Sequence, residues 1–190
     1  MFFPTANAFQ QVTSNFIFFC VAPFLYIKLI LDKNPREFGV NLKNRKDGAV
    51  WGVSMLIVAC LLSFFIVKFT NFIKNSDIPG GAMESFWIFL FYQLILFNGI
   101  FFFQEFFFKS FILFYFSRII GFYSVPLSVI IYTGFIFSGG DFSWQAAPMI
   151  SWAFLGGIVA YMSRSFIYSY LAGTVYFLLF NAYIIHILNK

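Results

Sequence analysis

Charge is scarce in this chain: only 10% of its 190 residues are Asp, Glu, Lys or Arg, against about 25% in soluble domains. Histidine is scarcer still, with His186 the only one, so chemistry that requires two imidazoles is excluded. Cys20 and Cys60 each sit in an apolar run with no His or second Cys nearby. They read as small hydrophobes, and neither a metal site nor a disulfide nor any cofactor is expected. Seven acidic residues, most of them outside the apolar runs, leave little for ion-coupled transport. The net charge of +5 concentrates in one inter-helix segment, a pattern that sets topology rather than one that binds nucleic acid, and no nucleic-acid partner is expected. The N-terminal MFFPTANAFQQ lacks a positive n-region and a small-residue cleavage site, so no removed signal peptide is expected.

What the chain has in excess is apolar surface. It is 61% hydrophobic and contains 33 phenylalanines, and its mean hydropathy is +0.85. These values describe an integral membrane protein whose first partners are membrane lipids. The phenylalanines are read as core packing and lipid contact.

Apolar runs of spanning length begin near Phe16, Ala49, Ser85, Ile119, Ala146 and Phe166. The expected fold is therefore all-α, a polytopic membrane helix bundle of about six transmembrane helices in a single domain, residues 1–190. Two readings fit the third span, in which apolarity persists from Phe86 to Phe116: one long tilted helix, or a span with an amphipathic extension. Pro126, Pro148, Gly156, Gly157 and Ala160 are read as packing residues that let helices approach closely.

Basic residues give an orientation. Lys33, Arg36, Lys43, Arg45 and Lys46 lie between the first two spans, Arg118 follows the third and Arg164 separates the fifth from the sixth. All three connections are expected to be cytoplasmic, and SGGDFSWQ, residues 138–145, which has no Lys or Arg, is expected on the other side. Six spans then leave both termini outside, with Lys68 and Lys74 as dissent.

One carboxylate and one amine interrupt the run FFFQEFFFKSFILFYF: Glu105 and Lys109, one helical turn apart. A charge at membrane depth costs at least about 2.5–3.5 kcal/mol, so such residues are retained with a partner or a role. Asn98, Glu105 and Lys109 share one stripe of the third span, and Tyr170, Thr174 and Asn181 share one of the sixth. Two polar stripes in lipid are expected to turn inward and meet, either to lock the bundle or to form a site. His186 lies about 140° around the helix from Asn181 and about 7.5 Å further along its axis, and reads as a membrane-interface residue.

Glu105 with Phe108 and the cationic Lys109 resembles the first motif of the CAAX protease and bacteriocin-processing (Abi) family: two adjacent glutamates, three residues of which the last is usually phenylalanine, then arginine and often glycine. Gln104 stands at the first glutamate and Ser110 at the glycine. The family's second motif, phenylalanine with histidine four residues on, corresponds to Phe135 in FIFSGG, with Ser138 or Gly139 at the histidine. Its third, histidine with asparagine four residues on, corresponds to Phe177 and Asn181 in FLLFN, counted from Gly157. The basic loop NPREFGVNLKNRKDGAVWGV also looks like the family's, so the resemblance runs from about Asn34 to Asn181.

The resemblance implies a CAAX-protease-like fold in a bacterial inner membrane. It also implies a remnant catalytic site, Glu105 as the family's general base and Asn181 as its amide donor, accompanied by Gln104, Lys109, Ser138, Gly139 and Phe177. With both imidazoles absent, the expected function is that of an inactive member holding a partner membrane protein. The alternatives are an active, divergent intramembrane endopeptidase and a small-solute carrier subunit.

The charge asymmetry makes a direct prediction. In intact cells, an impermeant thiol reagent applied from outside should label a cysteine placed within residues 138–145 and spare one placed at Lys43, in a background lacking Cys20 and Cys60. Labelling at residue 43 inverts the topology.

Overall fold

The computed structural model describes residues 6–70, 72, 85–138 and 144–188. Among them there is helix and no strand. Helix α1 covers residues 6–30, α2 is Arg45–Phe69, α3 covers residues 86–120, α4 is Ser124–Phe137, α5 is Ala147–Ser163 and α6 is Phe166–Leu188. Gly139, one of the two positions at which the resemblance places a histidine, lies outside the described residues, as does Lys74.

Among the described residues five helical stretches are long and apolar enough to cross a membrane, against the about six expected. The difference arises in the middle of the chain, where α3 and α4 belong to one helical run, Phe86–Phe137, of 52 residues. At Gly121 the backbone takes φ +60, and the run folds back on itself, so that Phe108 meets Tyr132 and Phe135 across the hairpin. The second arm has only 14 residues, about 21 Å of helix, which is short of the roughly 30 Å hydrocarbon core. The first arm is one continuous helix about 50 Å long, longer than any bilayer core, with π-helical winding over Tyr92–Phe97 and Phe106–Ile112. That decides between the two readings of the third span in favour of a single long helix.

Helix α5 is the centre of the bundle. Within Trp144–Ser163 its most apolar part is 56% buried, against 11–28% for the corresponding parts of the other four stretches. Small side chains make this possible, since apolar side chains gain nothing by leaving lipid tails and association rests on close packing. Gly156, Gly157, Ala153 and Ala160 are all buried. A Cβ on Gly157 would come within 3.1 Å of Val125, which shows how tightly α4 lies against α5. Helix α6 crosses α5 and α2, where Trp152 stacks on Tyr176 with ring centroids 5.4 Å apart and the Tyr176 hydroxyl is hydrogen-bonded to Ser63 of α2. Helix α1 lies outside, joined to α3 by ring contacts of Phe16 with Phe103, Phe19 with Phe107, and Tyr26 with Phe111.

The alternation of helix directions brings the α1–α2 segment, the Gly121 turn and the α5–α6 turn to one end of the molecule. The first of these is folded onto the bundle. Pro35–Phe38 forms a single 3-10 turn whose N-terminus is capped by Asn34 and Glu37 in a capping box. Phe38, 1% exposed, is driven into a core of Ile27, Leu113, Phe114 and Val125, and its carbonyl accepts a hydrogen bond from Ser110. The Gly39 carbonyl accepts from the Phe166 N–H at 3.2 Å, where Ser165 caps the start of α6 by accepting from the Ile167 N–H. The basic end is thus a built surface.

Gly39 sits at φ +79, and a Cβ there would lie 2.9 Å from Phe114 Cδ2. Gly39→Ala should cost about 1–3 kcal/mol through backbone strain and overpacking. Gly99→Ala, where nothing lies within 4 Å of the added carbon, should cost nothing or stabilise α3 slightly. Unfolding both variants in a mixed detergent–SDS titration checks the contrast, and equal effects refute the packing described for Gly39.

Candidate functional site

The only two charged side chains buried within the described part of the bundle are Glu105, 4% exposed, and Lys109, 2% exposed. They lie on consecutive turns of α3 where α5 and α6 close over it. Lys109 Nζ donates to Glu105 Oε1 at 2.5 Å, to the Trp152 carbonyl at 3.3 Å and to Ser169 Oγ at 3.2 Å. The three protons of the ammonium are therefore all placed. Ser169 Oγ in turn donates to Glu105 Oε2 at 2.9 Å. The ammonium also stands 5.1 Å from the centroid of the Trp152 ring, within cation–π range.

This arrangement depends on one vacancy. A Cβ on Gly156 would overlap Lys109 Nζ and come within 2.6 Å of Ser169 Oγ, so α5 presents glycine at the point where its backbone passes the pair. The Trp152 indole N–H is buried beside the same carboxylate and closes no hydrogen bond of acceptable geometry. The void at the pair, between Glu105, Phe108, Lys109, Ser128, Tyr132 and Trp152, is about 10 Å³, room for about one water molecule.

Two more polar pairs continue the seam between α3 and α6. Thr174 Oγ1 donates to Asn98 Oδ1 at 2.9 Å, and Asn181 Nδ2 donates to Gln93 Oε1 at 2.7 Å. The polar stripes expected on the two helices do meet, as the rungs of an antiparallel ladder. Asn181 is not at the carboxylate, however. It lies twelve residues beyond Ser169, about 18 Å along α6, which corrects the expectation that Glu105 and Asn181 share one site. The reason is register: antiparallel packing puts Ser169 opposite Glu105 and leaves Asn181 opposite Gln93.

The remaining candidates are dispersed. Gln104 is half-buried and lines a cleft of about 340 Å³ beside the pair, together with Val12, Tyr92, Leu96, Tyr132 and Ile136. Phe177, 4% exposed, packs against Phe97 and Phe101 in the wall of that cleft. Ser138 is exposed at the end of α4, where its hydroxyl donates to the Phe135 carbonyl at 2.7 Å. His186 is exposed near the end of α6. Among the described residues no three His, Cys, Asp or Glu side chains come together as metal ligands.

Ser169, Trp152 and Gln93 were not among the residues singled out from sequence. Ser169 lies one position off the Tyr170–Thr174 stripe, and Trp152 contributes a backbone carbonyl, to which its own side chain gives no clue. Gln93 was discoverable only through the winding of α3: it stands five residues before Asn98, about one turn where hydrogen bonds span five residues. Compared with protein-family models, curated proteins and solved structures, the chain has no match.

The pair predicts a non-additive response. Glu105→Met leaves the ammonium uncompensated and should destabilise the bundle by about 3–5 kcal/mol, Lys109→Met leaves the carboxylate uncompensated in the same way, and the double variant Glu105→Met/Lys109→Met should lose far less than the sum of the two singles. SDS unfolding of the four proteins measures the coupling. Additive losses show that the two side chains do not act on each other.

Proposed function

We propose that this protein is a non-hydrolytic, CAAX-protease-like scaffold of a bacterial inner membrane, in which Glu105 is a structural anchor and an apolar segment of a partner membrane protein is held against the helices. The observation that carries this reading is the state of the carboxylate. Both of its oxygens are engaged, by Lys109 and by Ser169, and the void beside it is about 10 Å³. A general base needs a free lone pair aimed at its water and a substrate carbonyl within reach. An oxyanion needs donors at the point where its charge develops. Here the donors that engage the carboxylate or lie against it are an ammonium already bound to it, a serine hydroxyl already bound to it and an indole N–H, and Asn181, the amide donor that the resemblance implies, serves Gln93.

The cleft lined by Tyr92, Leu96, Gln104, Tyr132 and Ile136 supports the second half of the proposal. Its volume, about 340 Å³, is in the range of ligand-sized pockets, and its lining is apolar apart from the Gln104 amide and tyrosine hydroxyls. Such a surface suits a hydrophobic side chain or two from a neighbouring helix. A solute carrier is less well served, since each rung between α3 and α6 is closed by its own hydrogen bond.

The purified chain should cleave transmembrane and prenylated peptide substrates no faster than background, and Glu105→Gln should leave that rate unchanged. Loss of donors of the oxyanion type costs about a hundred- to a thousandfold each, so absence of both imidazoles leaves nothing to detect. A wild-type rate that disappears in Glu105→Gln overturns the proposal and makes Glu105 a working base.

A further inference from the structure

The described residues contain two ion pairs, Glu105 with Lys109 and Glu37 with Arg118. The basic end holds more cation than these account for. Arg36, Lys43 and Arg164 line one pocket of about 580 Å³ with Arg118, Glu37 and Asn44, and none of the three has a carboxylate partner among the described residues. Glu37, the one acid in the lining, is taken by Arg118 at 3.2 Å.

The pocket is held in shape without help from those cations. Asn41 Nδ2 donates to the carbonyls of Arg36 at 3.2 Å and Arg164 at 3.1 Å. Asn41 Oδ1 accepts from the Lys43 N–H at 3.0 Å. The Ser165 hydroxyl donates to the Asn41 carbonyl, and the Tyr168 hydroxyl donates to the Leu42 carbonyl at 3.0 Å. These bonds fix the main chain from which Arg36, Lys43 and Arg164 project, and they leave the charged groups unused.

Arg164 is placed there against local preference. It ends α5 at φ +53, a left-handed position where glycine or asparagine is the ordinary choice. A cation in the last turn is favoured by the helix dipole, but that benefit does not require a residue in the left-handed region. The first turn of α2 opens on the same pocket with no side-chain cap on its N–H groups, because Asn44 Nδ2 is directed to the Ser163 carbonyl at 3.5 Å.

We infer that this pocket binds a phosphate-bearing anion. It is lined by three cations that have no carboxylate partner among the described residues, is preorganised, and lies at the ends of α2, α3 and α5, where the membrane surface would fall. Guanidinium groups suit phosphate because their donors form a planar fork, and lysine adds a point charge. The phosphodiester of an anionic lipid headgroup and free inorganic phosphate carry the same chemistry. The inference is independent of the scaffold reading.

Native mass spectrometry of the full chain in neutral detergent, titrated with phosphatidylglycerol or phosphatidylcholine, tests it. Wild type should prefer phosphatidylglycerol by roughly ten- to a hundredfold. The variant Arg36→Gln/Lys43→Gln/Arg164→Asn, whose asparagine tolerates the left-handed backbone, should lose that preference, while Lys68→Gln at the opposite end keeps it. Lys43→Glu, on an exposed side chain, gives the same reading if the triple variant does not fold. Displacement of phosphatidylglycerol by millimolar inorganic phosphate identifies free phosphate as a ligand, and retention against it identifies the lipid. Equal binding of the two lipids by wild type, or an undiminished preference in both pocket variants, overturns the inference.

Discussion

The bundle is organised around an ion pair that cannot be left half-made. Burying Glu105 or Lys109 alone would place an uncompensated charge in the membrane, at a cost that a bundle held mainly by packing cannot absorb. The pair therefore requires what surrounds it: a glycine at 156 so that α5 can pass, a backbone carbonyl at Trp152 to take the second ammonium proton, and a hydroxyl at Ser169 to take the third and return one to the carboxylate. Three helices meet at these atoms. Once their mutual heights are set there, the Asn98–Thr174 and Gln93–Asn181 bonds fall into place along the same seam.

Apolar packing alone would not select that arrangement. A phenylalanine-rich helix such as α3 presents similar rings at many heights, and sliding it by a turn exchanges one aromatic contact for another of comparable strength. Polar rungs penalise such slips, because each displaced rung leaves an unsatisfied group in a medium with no water to accept it. The aromatic residues supply much of the contact area, and a few polar atoms decide which contacts are made.

The sequence made some of this legible. Glu105 and Lys109 announced themselves by rarity and by their four-residue spacing, and the stripes containing Asn98, Thr174 and Asn181 were visible as polar positions at helical periods. The gathering of Arg36, Lys43, Arg118 and Arg164 at one end also followed from where they fall between apolar runs. What remained hidden has identifiable causes. Helix register between α3 and α6 is a tertiary quantity, so Asn181 could be assigned to the wrong partner. A main-chain carbonyl such as that of Trp152 carries no mark in the side-chain code. The count of spanning-length helices among the described residues is one lower than the apolar runs suggest, because hydropathy measures apolar length and does not detect a reversal at Gly121 that leaves only 14 residues for the returning arm.

The seating of Phe38 bears on how the chain is made. Its segment is synthesised between α1 and α2, yet its carbonyl is bound by Ser110, 72 residues later, and Asn41 is tied to Arg164, 123 residues later. At ordinary translation speeds that second interval is on the order of ten seconds. During it the main chain around Asn41 has been made but the Arg164 carbonyl that fixes it has not. The loop therefore closes into the wall of the basic pocket only after α5 has been made, late in synthesis.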